Sequence, residues 1–173
     1  TPIQLCLMSA QLANGGYKIE PKMIHNEQAL QSNKDVSSER FKQLYMNQEN
    51  IKFVLDAQFG ATNEPMGTSY GSRHVKSEYV FAGKTGTSQI RTITQEEREL
   101  KLKQKDLPYK RRDHALFTAF APYKNPRYAL SIVIEHGGTG SSAAAPIAKK
   151  LIKKVLDRHK LRKRYQTELF QEV

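Results

Sequence analysis

The stretch Tyr79-Val80-Phe81-Ala82-Gly83-Lys84-Thr85-Gly86-Thr87-Ser88-Gln89 decides the fold. Its first half reads as a short buried strand, with Tyr79 and Phe81 on one face and Val80 and Ala82 on the other. A core strand has no structural use for a lysine at its end. Glycine there has one, because without a Cβ another backbone or a ligand can approach closely. A strand edge offering backbone N–H groups, hydroxyls and an ammonium suits an anionic group, or an oxygen that becomes anionic.

Two chemistries fit such a stretch. A phosphate-binding P-loop requires G-x-x-x-x-G-K-[ST]. Gly83-Lys84-Thr85 satisfies its end, but Glu78 stands where the first glycine belongs and puts a carboxylate at the start of the phosphate cradle. This disfavours a nucleotide-binding protein. The other is the K-T-G element of penicillin-binding proteins and serine β-lactamases, which accompanies S-x-x-K and S-x-N. A tripeptide alone is weak evidence, so the rest of the chain must decide.

The 173 residues suffice for one domain with a real core. No apolar run approaches the roughly 18–20 residues that a membrane helix needs. The chain begins at Thr1 without an initiator methionine or signal peptide, and so reads as a piece whose targeting information lies upstream. Cys6 is the single cysteine, which rules out an internal disulfide and a thiolate metal cluster. The net charge of +11 suggests a nucleic acid, membrane surface or anionic polymer as partner, or else cations spread over solvated faces.

Thr1-Pro2-Ile3-Gln4 is a helix start with a capping-box pattern, Ile3, Leu5, Leu7, Met8 and Leu12 form its apolar face, and Asn14-Gly15-Gly16 stops it. Tyr17 to His25 reads as extended, on an edge because of Pro21. Residues 26–36 form a polar loop, and a helical stretch follows Ser37-Ser38. A clearer helix over about residues 50–59 places Ile51, Val54, Leu55 and Phe59 on one side and ends at Gly60, after which residues 61–77 are irregular. The charged stretch Arg91–Asp113 holds an exposed helix with Glu–Lys pairing over Glu96–Lys103, broken by Pro108. Lys110-Arg111-Arg112 lacks the aromatic interleaving of base-stacking surfaces, so the stretch reads as a solvated insertion. Ala115–Ala121 and Arg127–Glu135 form a hairpin joined by Pro122–Pro126, its second strand apolar on both faces and covered. Gly137-Gly138-Thr139-Gly140 is a mobile turn. Pro146 opens a helix with Ile147, Ala148, Leu151, Ile152, Val155 and Leu156 inward and Lys149, Lys150, Lys153 and Lys154 outward. The boundary falls after residue 157, with 158–173 a basic tail.

Gly83-Lys84-Thr85-Gly86-Thr87-Ser88-Gln89, the segment Arg112-Asp113-His114-Ala115-Leu116-Phe117-Thr118-Ala119-Phe120-Ala121-Pro122, and Glu135-His136-Gly137-Gly138 together resemble class B penicillin-binding proteins, most of all the elongation-specific penicillin-binding protein 2 type. Thr1-Pro2-Ile3-Gln4-Leu5, the Leu12-Ala13-Asn14-Gly15-Gly16 helix end and the Gly67-Thr68 turn resemble the same family in the same order, so the likeness runs from Thr1 to about Leu156. It implies an α+β, partial penicillin-binding/transpeptidase (serine β-lactamase-like) fold: an antiparallel sheet with flanking helices. The implied activity is a peptidoglycan D,D-transpeptidase that crosslinks stem peptides during cell elongation and is acylated by β-lactams, without cofactor or metal. No Ser is followed three residues later by Lys, and S-x-N does not occur. In the family both lie upstream of the T-P-x-Q-L helix, so residues 1–157 resemble the C-terminal part of the transpeptidase domain without its nucleophile and are expected to be inactive alone.

By resemblance, the backbone N–H of Thr87 is an oxyanion-hole donor, and Lys84 supplies positive potential and aids proton transfer. The hydroxyls of Thr85 and Thr87 bind the substrate or penicillin carboxylate, Gly86 lets the substrate backbone pair along the edge, and Ser88 joins the substrate-binding group. Arg112, Asp113 and His114 read as a brace for the neighbouring strand, and the five histidines show no ligand spacing. The implied partners are stem peptides, β-lactams, the missing N-terminal part of the domain and the elongation machinery, at the periplasmic face of the inner membrane. Apolar surface left uncovered would drive self-association. The alternative is a basic binding module for nucleic acid or another anionic polymer.

Overall fold

The computed structural model describes residues 1–21, 42–44, 47–100 and 102–171. Strands β1 (Ala82–Ser88), β2 (His114–Ala121) and β3 (Tyr128–Ile134) form one antiparallel sheet in the order β1-β2-β3. The register opposes Lys84 to Thr118, Thr85 to Phe117 and Gly86 to Leu116, then Leu116 to Val133 across the hairpin. Alternation along β2 sorts its side chains. Ala115, Phe117, Ala119 and Ala121 face one side and are buried with Tyr79 and Phe81 against Ala144, Ala145, Ala148, Ile152 and Leu156. Thr118 faces the other, where its hydroxyl donates to the Leu5 carbonyl at 3.4 Å. Helices therefore cover both faces of the sheet.

The first is α1 (Pro2–Ala13), whose start is built as the sequence predicts: the Thr1 amino group and hydroxyl donate to Gln4 Oε1 at 2.7 and 2.9 Å. Its apolar face is a correction. Ser9 and Gln11 are its buried residues, while Ile3 and Met8 stay exposed. Helix α2 (Gln48–Asn63) begins with Asn47 Oδ1 accepting from the Asn50 N–H and packs on β1. It runs through Gly60 instead of ending there. An interior glycine costs about 1 kcal/mol, a penalty that tertiary packing offsets, and the helix stops at Asn63, two residues before Pro65, with Glu64 extended between them. Val54, expected inward, is exposed.

Of the extended stretch Tyr17 to His25, residues 22–25 lie outside the described residues; Tyr17 makes an isolated bridge to Gln43, and residues 18–21 join no sheet. The loop at 26–36 and the helix after Ser37-Ser38 lie outside the described residues. The exposed helix of the charged stretch shrinks to α3 (Gln95–Glu99), capped by Thr94 and ended well before Pro108. Glu97, instead of pairing along its own helix, bonds Arg91 at 2.5 Å and Arg111 at 3.0 Å.

The glycine turn is packed, not loose. Gly137 N–H donates to Ile134 O and Gly138 N–H to Asp113 O, and a π-helical turn, Gly140–Ala144, leads into α4 (Ala145–Gln171). The helix continues across Arg158 without interruption. Its inward stripe is narrower than expected: Ala148, Ile152 and Leu156 are buried, whereas Ile147, Leu151 and Val155 are exposed. Every residue of β3 is likewise only half-buried, so the full cover expected of it is not present.

A polar seam ties α4 to the segment before β1. His74 Nε2 donates to Lys149 O at 2.9 Å, Tyr79 OH donates to Asp157, Lys153 pairs with Asp157 at 2.6 Å and Lys160 with Glu78 at 2.9 Å. The Lys153 hydrogen bond, and then that of Tyr79, hold the Asp157 carboxyl below its ordinary range; Arg91, and then the Thr94 N–H, do the same for Glu97. A carboxyl depressed by folding stabilises the native state above its unfolded pKa and loses that contribution as pH falls through the folded value. The melting temperature is therefore expected to stay level from neutral pH down to about 5 and to fall below about 4. Asp157→Asn should lower it at neutral pH and flatten the acid limb in a thermal melt; an unchanged acid limb would remove Asp157 from the account.

Candidate active site

The strand expected from Tyr79 starts three residues later. Ser77–Tyr79 is a 3-10 turn, Val80 and Phe81 precede the sheet, and β1 starts at Ala82. Lys84 is thus inside the strand, not at its end, and the whole K-T-G element is sheet. Pairing with β2 begins at Ala82, opposite Phe120, and before it the Val80 carbonyl accepts instead from the Tyr123 N–H, beyond the end of β2, at 2.8 Å.

Because β1 is an outer strand, alternate backbone N–H and C=O groups along it point away from β2. The pleat divides the predicted residues. Lys84, Gly86 and Ser88 pair with Thr118, Leu116 and His114 and share their face, the α1 side; Thr85 and Thr87 pair with Phe117 and Ala115 and share the α4 side. Burial falls along the strand, from fully buried Ala82 and Gly83 to half-buried Thr85 and Gly86 and exposed Lys84, Thr87 and Ser88. The strand is anchored at one end and accessible at the other.

Lys84 Nζ lies 3.0 Å from Thr85 O and 3.4 Å from Thr85 Oγ1, donating to both. Among the described residues it has no carboxylate partner, so its charge is available to an anion. Thr85 Oγ1 also lies 3.2 Å from Thr68 Oγ1. The two glycines differ. A Cβ on Gly83 would sit 2.6 Å from Thr118 O and 2.7 Å from Phe117 Cζ, so the fold itself fills that space. On Gly86 it would meet, among the described residues, only Leu116 Cβ, at 3.2 Å, so that side of the strand is open to a ligand there.

The far end of β1 is braced as expected for Arg112, Asp113 and His114. Buried Asp113 accepts from the Ile90 N–H at 3.2 Å and from Gln104 Nε2 at 2.6 Å. His114 Nδ1 accepts from the His136 N–H at 2.9 Å, and His136 Nδ1 donates to Arg112 O at 3.1 Å. These bonds hold His136 at φ 55°, an uncommon conformation for a residue with a Cβ.

Sequence reasoning missed two residues at this site. Thr68 was legible only as part of a turn. Gly140, read as part of a mobile loop, lies against the Gly86–Leu116 pair, where a Cβ would stand 2.2 Å from Leu116 O and 2.7 Å from Gly86 O.

The K-T-G element thus lies on an accessible outer strand, buried at its root and backed by a hairpin and a helix. The chain belongs to the penicillin-binding protein transpeptidase domain family, which it matches over residues 1–153. It is 34% identical over 162 residues to the peptidoglycan D,D-transpeptidase MrdA of Salmonella typhimurium, an alignment covering 91% of this chain and 25% of that protein. Among solved structures it is similar to Helicobacter pylori penicillin-binding protein PBP2 in complex with MreC (TM-score 0.69, 26% identity, 91% of this chain and 25% of that one). It is also similar to Pseudomonas aeruginosa PBP2 in complex with WCK 5153 (TM-score 0.60, 28% identity, 88% and 28%). The chain spans about a quarter of the length of the relatives it matches. No helix among the described residues is long and apolar enough to cross a membrane.

Proposed function

We propose that this chain is the substrate-binding edge of a peptidoglycan D,D-transpeptidase of the elongation type, completed by an upstream part that carries the serine nucleophile. The observation that carries the reading is the K-T-G strand itself: an outer strand whose cation is unpaired by any carboxylate among the described residues and whose hydroxyls are accessible. In this reading the serine oxygen attacks the donor carbonyl, and the oxyanion that forms is met by the Thr87 N–H. Collapse of the intermediate breaks the C–N bond, and the leaving nitrogen takes a proton. An N–H aimed at charge that develops only in the transition state is worth about 10²–10³ in rate. Thr85, Gly86, Thr87 and Ser88 hold the stem peptide or the penicillin carboxylate, and Lys84 supplies positive potential and assists proton transfer around the serine.

The likeness to a PBP2 solved with MreC supports the elongation machinery as the setting of the whole protein, and the location that goes with this reading is the periplasmic face of the inner membrane. Exposed Phe53, Met66 and Val75, at 76%, 96% and 86%, support self-association of the chain when it is alone. The charge that suggested a nucleic-acid partner is in part neutralised locally, through Lys52–Asp56, Arg91–Glu97, Lys153–Asp157 and Lys160–Glu78.

Fluorescent penicillin on a denaturing gel tests the reading. A chain extended upstream through an S-x-x-K serine is expected to label, and residues 1–173 alone to stay dark. An extended chain that stays dark would end the transpeptidase reading.

A further inference from the structure

We propose that Thr68 is a positioning residue for the anion site, setting the hydroxyl of Thr85 toward the ligand carboxylate; the inference rests on the transpeptidase reading above. The Thr68 and Thr85 oxygens, 17 residues apart in sequence, stand 3.2 Å apart. Thr85 Oγ1 already accepts from Lys84 Nζ at 3.4 Å. A hydroxyl has one proton to give and two lone pairs. When Thr68 donates to Thr85, both lone pairs of Thr85 are occupied and its proton is left to point outward, toward an arriving carboxylate. When Thr85 donates to Thr68, the outward proton is that of Thr68. Either way the pair presents one free O–H beside the Lys84 ammonium, fixed before the ligand arrives.

The turn carrying Thr68 is fixed on both sides of that residue. On one side, Gly67 N–H donates to Glu64 O at 2.8 Å, and Gly67 is so close to α2 that a Cβ would stand 2.4 Å from Gly60 O and 2.5 Å from Ala61 O. On the other, Ser69 N–H and Ser69 Oγ donate to Ala61 O at 3.0 and 2.9 Å. Buried Thr62 then links the turn to β1: its hydroxyl donates to Gly83 O at 3.3 Å and lies 3.4 Å from Ser69 Oγ. Thr68 itself is exposed, so its hydroxyl is not part of the packing that fixes it. A rigid backbone holding an exposed hydroxyl against the second residue of K-T-G is what a preorganised anion site requires.

Thr68→Val keeps the β-branch and removes the hydroxyl, and Thr68→Ser keeps the hydroxyl. In the serine-bearing extended chain, the second-order acylation rate is measured with benzylpenicillin and with its methyl ester, whose carboxylate is masked. Thr68→Val is expected to lose about tenfold with the free acid and less than about twofold with the ester, with an unchanged melting temperature, and Thr68→Ser to restore the rate. A Thr68→Val chain as fast as wild type, or slowed equally on acid and ester, overturns the assignment while leaving the transpeptidase reading intact. A wild-type extended chain that is not acylated by either overturns both.

Discussion

Gly140→Ala is expected to lower the melting temperature of the serine-bearing chain by roughly 6–12 °C and to slow its acylation at least about tenfold. The added methyl would stand 2.2 Å from Leu116 O, 2.7 Å from Gly86 O and 3.1 Å from Gly86 N. All three atoms are backbone, so no rotamer change relieves the overlap. Either the π-helical turn at Gly140–Ala144 withdraws, pulling Ala144 and Ala145 from the core, or β1 moves at Gly86, next to the proposed oxyanion donor Thr87. Overpacking a close-packed site costs about 1–3 kcal/mol, and a backbone contact this short belongs at the upper end. At roughly 2–4 °C per kcal/mol for a domain of this size, that gives the stated shift. Gly71→Ala is the control, since a Cβ there has nothing within 4 Å. Differential scanning calorimetry beside acylation kinetics separates the effects; a Gly140→Ala chain that melts within 2 °C of wild type would show that the turn yields without strain.

Gly140 also marks where reading the sequence stops being sufficient. The K-T-G chemistry, the hairpin and the capped start of α1 are local, and local pattern shows them: hydroxyls and glycines in succession, alternating residues on either side of a short loop, a threonine three residues before a glutamine. What defeats local pattern is contact between distant segments. Tyr79-Val80-Phe81 alternates like a strand, yet ladder pairing starts only at Ala82, while Ser77–Tyr79 turns and the Val80 carbonyl bonds Tyr123 beyond β2. Gly60 punctuates a helix that continues because Gly67 packs on its carbonyls. Ile147, Leu151 and Val155 have the helical spacing of a core face, but the sheet is too narrow to cover more than the Ala148–Ile152–Leu156 stripe. The Gly67-Thr68 turn carries a family likeness but no partner for it; only the folded turn brings Thr68 to Thr85.

Lys84→Ala is expected to reduce acylation of the serine-bearing chain by about 10²–10³-fold with little change in stability. Lys84 is exposed, and among the described residues its ammonium bonds Thr85 O and Thr85 Oγ1 alone. Among the described residues it holds no other segment in place, so its removal should cost within about 0.5 kcal/mol, as for an ordinary surface position. A large kinetic loss with an unchanged melt therefore reports chemistry and not folding. The two penicillin probes then divide its role. If Lys84 acts only as a counter-charge to the carboxylate, the loss appears with benzylpenicillin and vanishes with the methyl ester. If it helps move the serine proton, both probes lose. Lys84→Arg keeps the charge but presents a planar, permanently protonated fork, so it should rescue the first role and not the second. Acylation of Lys84→Ala within about threefold of wild type on both probes would mean that K-T-G serves here as a strand and not as a catalytic element.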